Sequence, residues 1–277
     1  MSHLPSTDEL LANLGALTNI VRRIAIGAGD ITLKYYDGIE IMCVEEKGDG
    51  SPVTKADREA EVYIQDALME LTPEILFVGE ETAATGALNN IDEEASVFWL
   101  VDPLDGTREF AEGGDEFTVN IALVRDGVPI LGVVYVPVTG VMYAGYEGGA
   151  AIRWSQDTGK EKEIKSQIPP ERGMTVVSSK SHGSRERQDA FLQQFKVAKV
   201  VRKSSSLKIC VIAEGKGHLY PRFGRTCHWD TAAGDAVLRA AGGTIQDMDG
   251  VDLVYSTRTE GFYNPEFIAS SFPWSGD

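Results

Sequence analysis

The stretch from Trp99 to Phe110 constrains this chain more than any other. Trp99-Leu100-Val101 reads as a buried strand that delivers Asp102 at its end, Pro103 turns the chain, and Asp105, Gly106 and Thr107 open the next segment. Two carboxylates on one tight turn suit hard cations, because Mg²⁺ prefers oxygen ligands and a rigid pair of acids can bridge two ions. Gly106 would let a ligand approach the backbone, and the N–H groups of a helix start would favour a phosphate oxygen. The simpler reading is local: Asp102 and Asp105 as turn formers and Thr107 as a helix cap.

Further acids stand apart from this turn. Glu80 and Glu81 follow the apolar run Ile75 to Val78 and Gly79, where adjacent carboxylates are costly unless solvated, paired or bound to a cation. Asp230 follows His228 and Trp229 and begins a helix rich in small residues; an N-cap role there is compatible with a second oxygen on a cation. The whole chain, 277 residues with a formal charge of -16, argues against nonspecific binding to nucleic-acid polymers or anionic lipid, so an anionic ligand would need a locally reversed field.

The three cysteines, Cys43, Cys210 and Cys227, are scattered without C-x-x-C spacing, so neither a disulfide framework nor a zinc knuckle is expected and a reducing cytoplasm fits best. Met1 to Leu10 shows no basic stretch before an apolar run, so no secretory signal is expected. Pro129, Gly132, Pro137 and Gly140 interrupt the uncharged run Val128 to Tyr146, which reads as a buried hairpin rather than a membrane span.

Periodicity organises the chain into two halves. Leu10, Leu14, Leu17, Val21, Ile24, Ala28 and Ile31 form one apolar stripe of a single long helix, opened by a Ser6–Glu9 capping box. A polar loop from Glu45 to Thr54, its part from Lys47 on a flap or a linker, precedes a second helix from Ala56 to Leu71, stopped by Pro73. Strands are expected at Ile75–Val78, Val97–Val101, Phe117–Val124, Ile130–Val136 and Val141–Tyr146, completing an α+β half over 1–147. After the charged stretch Gln156 to Lys165, strands and helices alternate through Met174–Ser178, Ser184–Phe195, Val197–Val201 and Ser205–Glu214. Asp230–Ala241 is the last helix, so 148–277 reads as an α/β half, with the active site at the junction.

Gly79-Glu80-Glu81, Asp102-Pro103-Leu104-Asp105-Gly106-Thr107 and Trp229-Asp230-Thr231-Ala232-Ala233-Gly234 resemble, in order and spacing, the three signatures of the inositol monophosphatase superfamily of Mg²⁺-dependent, lithium-sensitive phosphatases. Arg108-Glu109-Phe110, Glu116 to Asn120, Ser205-Ser206-Leu207-Lys208, Leu219 to Gly224 and Phe262-Tyr263-Asn264-Pro265 look most like its bacterial CysQ branch. The resemblance implies a layered αβαβα sandwich of the sugar-phosphatase type and hydrolysis of 3'-phosphoadenosine 5'-phosphate, a by-product of sulfate activation, to AMP and phosphate. It implies two or three Mg²⁺ ions, one held by Glu80, Asp102 and the carbonyl of Leu104, another by Asp102, Asp105 and Asp230. Thr107 and Glu80 would orient and deprotonate the attacking water, with Asp57 polarising the Thr107 hydroxyl. Asp105, Gly106 and Thr107 would contact the scissile phosphate, and His182, Ser205, Lys208 and Arg222 would grip the nucleotide, with Asp230 beside them. Lys180, Cys227 and His228 receive no role.

Other readings remain beside this one: an inositol monophosphatase or broad sugar phosphatase on the same scaffold, or a nucleotide-binding module without turnover. The state is a monomer or homodimer, and the setting is cytoplasmic, with a peripheral place at the inner face of the membrane left open. Asp247-Met248-Asp249-Gly250-Val251 mimics a haloacid-dehalogenase nucleophile but falls too late in the chain and reads as a hairpin turn. Gly215-Lys216 lacks the rest of a P-loop, no G-x-S-x-G occurs, no cysteine precedes an arginine by six residues, and no two histidines stand four apart.

Overall fold

The N-terminal apolar stripe folds as two helices rather than one: α1 (Thr7–Ala12) and α2 (Leu14–Tyr36). At Asn13 the backbone N–H donates to Leu10 O (3.0 Å) and closes α1, while the side-chain Oδ1 accepts the Ala16 N–H (3.1 Å) and opens α2. The stripe continues across this break, which is why periodicity reads straight through it. The capping box is present, with Ser6 N–H donating to Glu9 Oε2 (2.8 Å) and Glu9 N–H to Ser6 Oγ (3.3 Å).

The computed structural model describes residues 5–38, 40, 44–46, 52–86, 95–180 and 185–274. The ends of the expected polar loop pair as two short antiparallel strands, β1 (Val44–Glu46) and β2 (Pro52–Thr54); the rest of the expected flap lies outside the described residues. Then follow α3 (Lys55–Leu71), β3 (Leu76–Gly79), α4 (Glu80–Ala84), β4 (Val97–Asp105), α5 (Thr107–Ala111), β5 (Thr118–Arg125), β6 (Val128–Val136), β7 (Val141–Tyr146), β8 (Ile152–Ser155) and β9 (Glu161–Glu163). β3 to β9 make a seven-stranded sheet in sequence order. The 147/148 division read from the sequence therefore falls between hydrogen-bonded β7 and β8. β9 is wholly exposed, so no apolar alternation announces it.

The second sheet is built from β10 (Met174–Ser179), β11 (Val197–Lys203), β12 (Leu219–Arg222), β13 (Thr244–Asp247) and β14 (Phe267–Ser270), in the order β11-β10-β12-β14-β13. The helices α6 (Arg185–Leu192), α7 (Leu207–Ala213) and α8 (His228–Ala240) complete the chain. β10 pairs in parallel with β11 and β12, as an α/β rhythm requires, but β14 pairs antiparallel with β12 and β13. Asp247–Val251 is a turn, closed by the Asp247 N–H on Val251 O (2.8 Å).

Alternation along the buried strands sorts the side chains into layers. Trp99, Val101, Ile121 and Val133 face α2 and α3, whereas Phe98, Leu100, Ala122 and Val134 face α7 and α8. The far side of α7 and α8 meets Val177, Tyr220 and Ala269 of the second sheet, whose other face packs on α6 through Val176, Ile268 and Phe191. The order is α–β–α–β–α. Gly132 on β6 lets α8 lie close: a Cβ there would fall on the carbonyl oxygen of Ala233. No described helix is long and apolar enough to cross a membrane, and nothing among the described residues supports a peripheral place on one.

Candidate active site

β4 runs past its apolar stretch and carries the acid turn with it. Asp102 sits across from Asn120 of β5 and Asp105 across from Thr118, with the pairing irregular between them. Within the turn, the Leu104 N–H donates to Asp102 Oδ1 (3.0 Å). Gly106 then takes φ 96°, and a Cβ at this position would meet Ser205 Oγ, so both the conformation and the space require glycine.

Asp230 approaches from the other sheet's side, on the first turn of α8, with Oδ2 accepting the Cys227 N–H (2.7 Å). Carboxylate oxygens of Asp102, Asp105 and Asp230 lie within 4.8 Å of one another. Burial and the charges of Glu80, Asp105 and Asp230 push the Asp102 carboxyl well above the usual range. Burial, Asp105 and Glu80 push Asp230 up to about 8. The charge of Arg222 opposes the rise at Asp230 without cancelling it, and a close set of carboxylate oxygens, with Asp102 and Asp230 held above their usual range, fits a hard divalent cation. The neighbouring Thr118 Oγ1 and Asn120 Oδ1 are fully buried without hydrogen-bond partners, which adds polar capacity beside the acids.

Glu80 starts α4 and lines the same pocket. The buried Glu61 of α3 fixes that helix start: its Oε2 accepts the Glu81 N–H and its Oε1 the Thr82 N–H, both at 2.7 Å. Asp57, buried on the first turn of α3, accepts Thr54 N–H at Oδ2 (2.8 Å) and the Thr107 hydroxyl at Oδ1 (3.0 Å). That hydroxyl also lies 3.3 Å from Leu104 O. Desolvation pushes the Asp57 carboxyl up against these hydrogen bonds.

The same pocket is also lined by Ser205, Lys208, Tyr220, Arg222 and Arg225. Lys208 is buried, its Nζ donating to Ser205 O (2.7 Å) and lying 5.5 Å from the Tyr220 ring centroid. Burial pulls its pKa down to about 8. Ser205 has φ 51°, and its Oγ donates to Asp105 O (2.8 Å). Every sequence-expected site residue among those described thus belongs to this constellation. His182 lies outside the described residues.

Ser206, Asn120 and Glu116 lie in runs that carry the resemblance but receive no role from the sequence. The Ser206 N–H donates to Asp105 Oδ2 (2.8 Å) and its Oγ to Asp230 O (2.7 Å), so one residue ties together acids from two elements. Asn120 Nδ2 donates to Ser206 Oγ (2.8 Å). Glu116 Oε2 accepts the Ser204 N–H (2.9 Å), and its carboxylate pairs with Lys180 and Lys203. Burial pushes Glu116 up, but these partners bring it below the ordinary carboxylate range.

The inositol monophosphatase family profile matches residues 13–271. Over 252 residues the chain is 45% identical to the 3'(2'),5'-bisphosphate nucleotidase CysQ of Escherichia coli strain K12, covering 91% of this chain and 98% of that protein. Among solved structures it is similar to CysQ from Bacteroides thetaiotaomicron, 34% identical with a TM-score of 0.75 over 92% of this chain and 97% of that one. It is also similar to an inositol monophosphatase from Zymomonas mobilis, at 25% identity and a TM-score of 0.73 over 94% of each chain.

Proposed function

Because the chain belongs to the inositol monophosphatase family, we propose that it is a Mg²⁺-dependent 3'(2'),5'-bisphosphate nucleotidase that hydrolyses 3'-phosphoadenosine 5'-phosphate to AMP and phosphate. The observation that carries this reading is one pocket lined both by carboxylates, Glu80, Asp105 and Asp230, and by the cationic side chains of Lys208 and Arg222. A single-phosphate substrate would use the acids with their cations and leave Lys208 and Arg222 without a ligand. The named activity of the relatives agrees with it.

Glu80, Asp102, Asp105, Asp230 and the Leu104 carbonyl would hold two or three Mg²⁺ ions. Bound there, Mg²⁺ supplies Lewis-acid polarisation of the phosphoryl oxygens, lowers the pKa of water and reverses the sign of the local field. The chain's own residues do the positioning. The Thr107 hydroxyl donates to Asp57, which leaves its oxygen lone pairs to accept a hydrogen bond from the attacking water. Glu80 takes the proton of that water at its carboxylate. Gly106 presents bare backbone to the scissile phosphate, and Ser205 and Ser206 keep Asp105 in register with it. Lys208 and Arg222 hold the second phosphate; a bound anion favours the charged form of Lys208 that burial disfavours. A cytoplasmic setting accords with a buried thiol at Cys210.

The test is phosphate release with Mg²⁺, comparing kcat/KM for 3'-phosphoadenosine 5'-phosphate and inositol 1-phosphate. A clear preference for the nucleotide is expected. Preference for the inositol ester would make the chain an inositol monophosphatase, and no release from either would leave a binding module.

A further inference from the structure

We infer that Arg225, backed by the ring of Tyr263, is the surface on which the substrate's nucleobase stacks; this rests on the nucleotide reading above and names its specificity determinant. Arg225 is exposed and lines the same pocket as the acids and Lys208. Its guanidinium lies over Tyr263, with Cζ 3.8 Å from the ring centroid. At that distance the cation is in contact with the aromatic ring, and guanidinium planes stack on nucleobases.

The backbone carrying this pair is fixed from both sides. Arg222 donates from Nε to Gly224 O and from Nη2 to Arg225 O, each at 3.1 Å. Asn264 donates its N–H to Thr226 O (2.9 Å) and its Nδ2 to Thr226 Oγ1 (3.1 Å), while Cys227 and Tyr263 form an antiparallel bridge. The other rings on the pocket wall, Tyr220 and Phe267, are 4% and 1% exposed and offer no open face. Arg225 is the only pocket arginine, among the described residues, that lies on an aromatic ring. Base and phosphates thus use different parts of one wall, joined through Arg222.

The experiment measures kcat/KM with Mg²⁺ for the wild type, Arg225→Lys, Tyr263→Leu and Tyr263→Phe on 3'-phosphoadenosine 5'-phosphate and on ribose 3,5-bisphosphate, which lacks the base. Arg225→Lys and Tyr263→Leu should lower the preference for the adenosine compound roughly ten-fold, the scale of one lost base stack, and Tyr263→Phe should keep it. Equal losses on both substrates from Arg225→Lys would make Arg225 a phosphate contact, and an unaltered preference would place the base elsewhere; either overturns the inference. Failure of the wild type on the adenosine compound is read separately and would remove the nucleotide reading and this inference with it.

Discussion

Asp230 and Asp235 lie five residues apart on α8, and they meet burial in opposite ways. Asp235 has its countercharge within the chain: Arg239 Nε donates to it at 2.9 Å and the Tyr255 hydroxyl at 3.2 Å. Burial still pushes its carboxyl up, but only to about 6, because Arg239 works against it. Asp230 faces Asp102 and Asp105 and reaches about 8. One acid is part of how the helix is anchored. The other is raised by burial and by its acidic neighbours, with Arg222 opposing them only in part, which suits it to a cation from solution.

The largest expected effect falls on the Asp230 side. Asp102→Asn or Asp230→Asn should lower kcat by about three orders of magnitude, at least the scale of one lost electrostatic contact to a transition state, with circular dichroism unchanged. Near-normal rates would erase the distinction between the two acids. If the Thr107 hydroxyl orients the water as proposed, Thr107→Val should cost about 10²-fold in kcat and Thr107→Ser should recover most of it, measured in the same assay.

Asp235→Asn should instead act on stability, by about 1–3 kcal/mol in urea unfolding, since Arg239 is left with Asp252 alone. If its turnover fell as far as that of Asp230→Asn, the anchoring role would be mistaken. The smallest effect is a pH slope. Asp230 keeps its proton to about 8 when folded but releases it near 3.8 when unfolded, so the folded chain binds more protons across that interval. Metal-free Tm should therefore fall by a few degrees as pH rises from 5 to 8, and Mg²⁺ should flatten the slope by taking the proton's place; a Tm rising with pH would contradict the cluster's electrostatics.

What the sequence made legible was local chemistry. The acid turn of β4, the capping box at Ser6 and the helix beginning near Asp230 each carry their signal within a few residues. The break at Asn13 does not, because one side chain caps a new helix without disturbing the apolar stripe. β8 and β9 escaped because short strands that are half-buried or exposed along their whole length lack alternation. Ser206 could not be singled out as a site residue, since its meaning lies in reaching Asp105 and the Asp230 carbonyl together, contacts that exist only once both sheets flank α7 and α8.

Gly132 has no part in the chemistry, yet the geometry of the acids depends on it. Asp102 and Asp105 travel with the large sheet, and Asp230 travels with a helix resting directly on that sheet's bare backbone at Gly132. Even a methyl group there would lift α8 and widen the bite of the claw without altering any of its tips. The spacing of the three acids is thus a matter of clearance between layers, gauged by a hydrogen where other residues carry carbon.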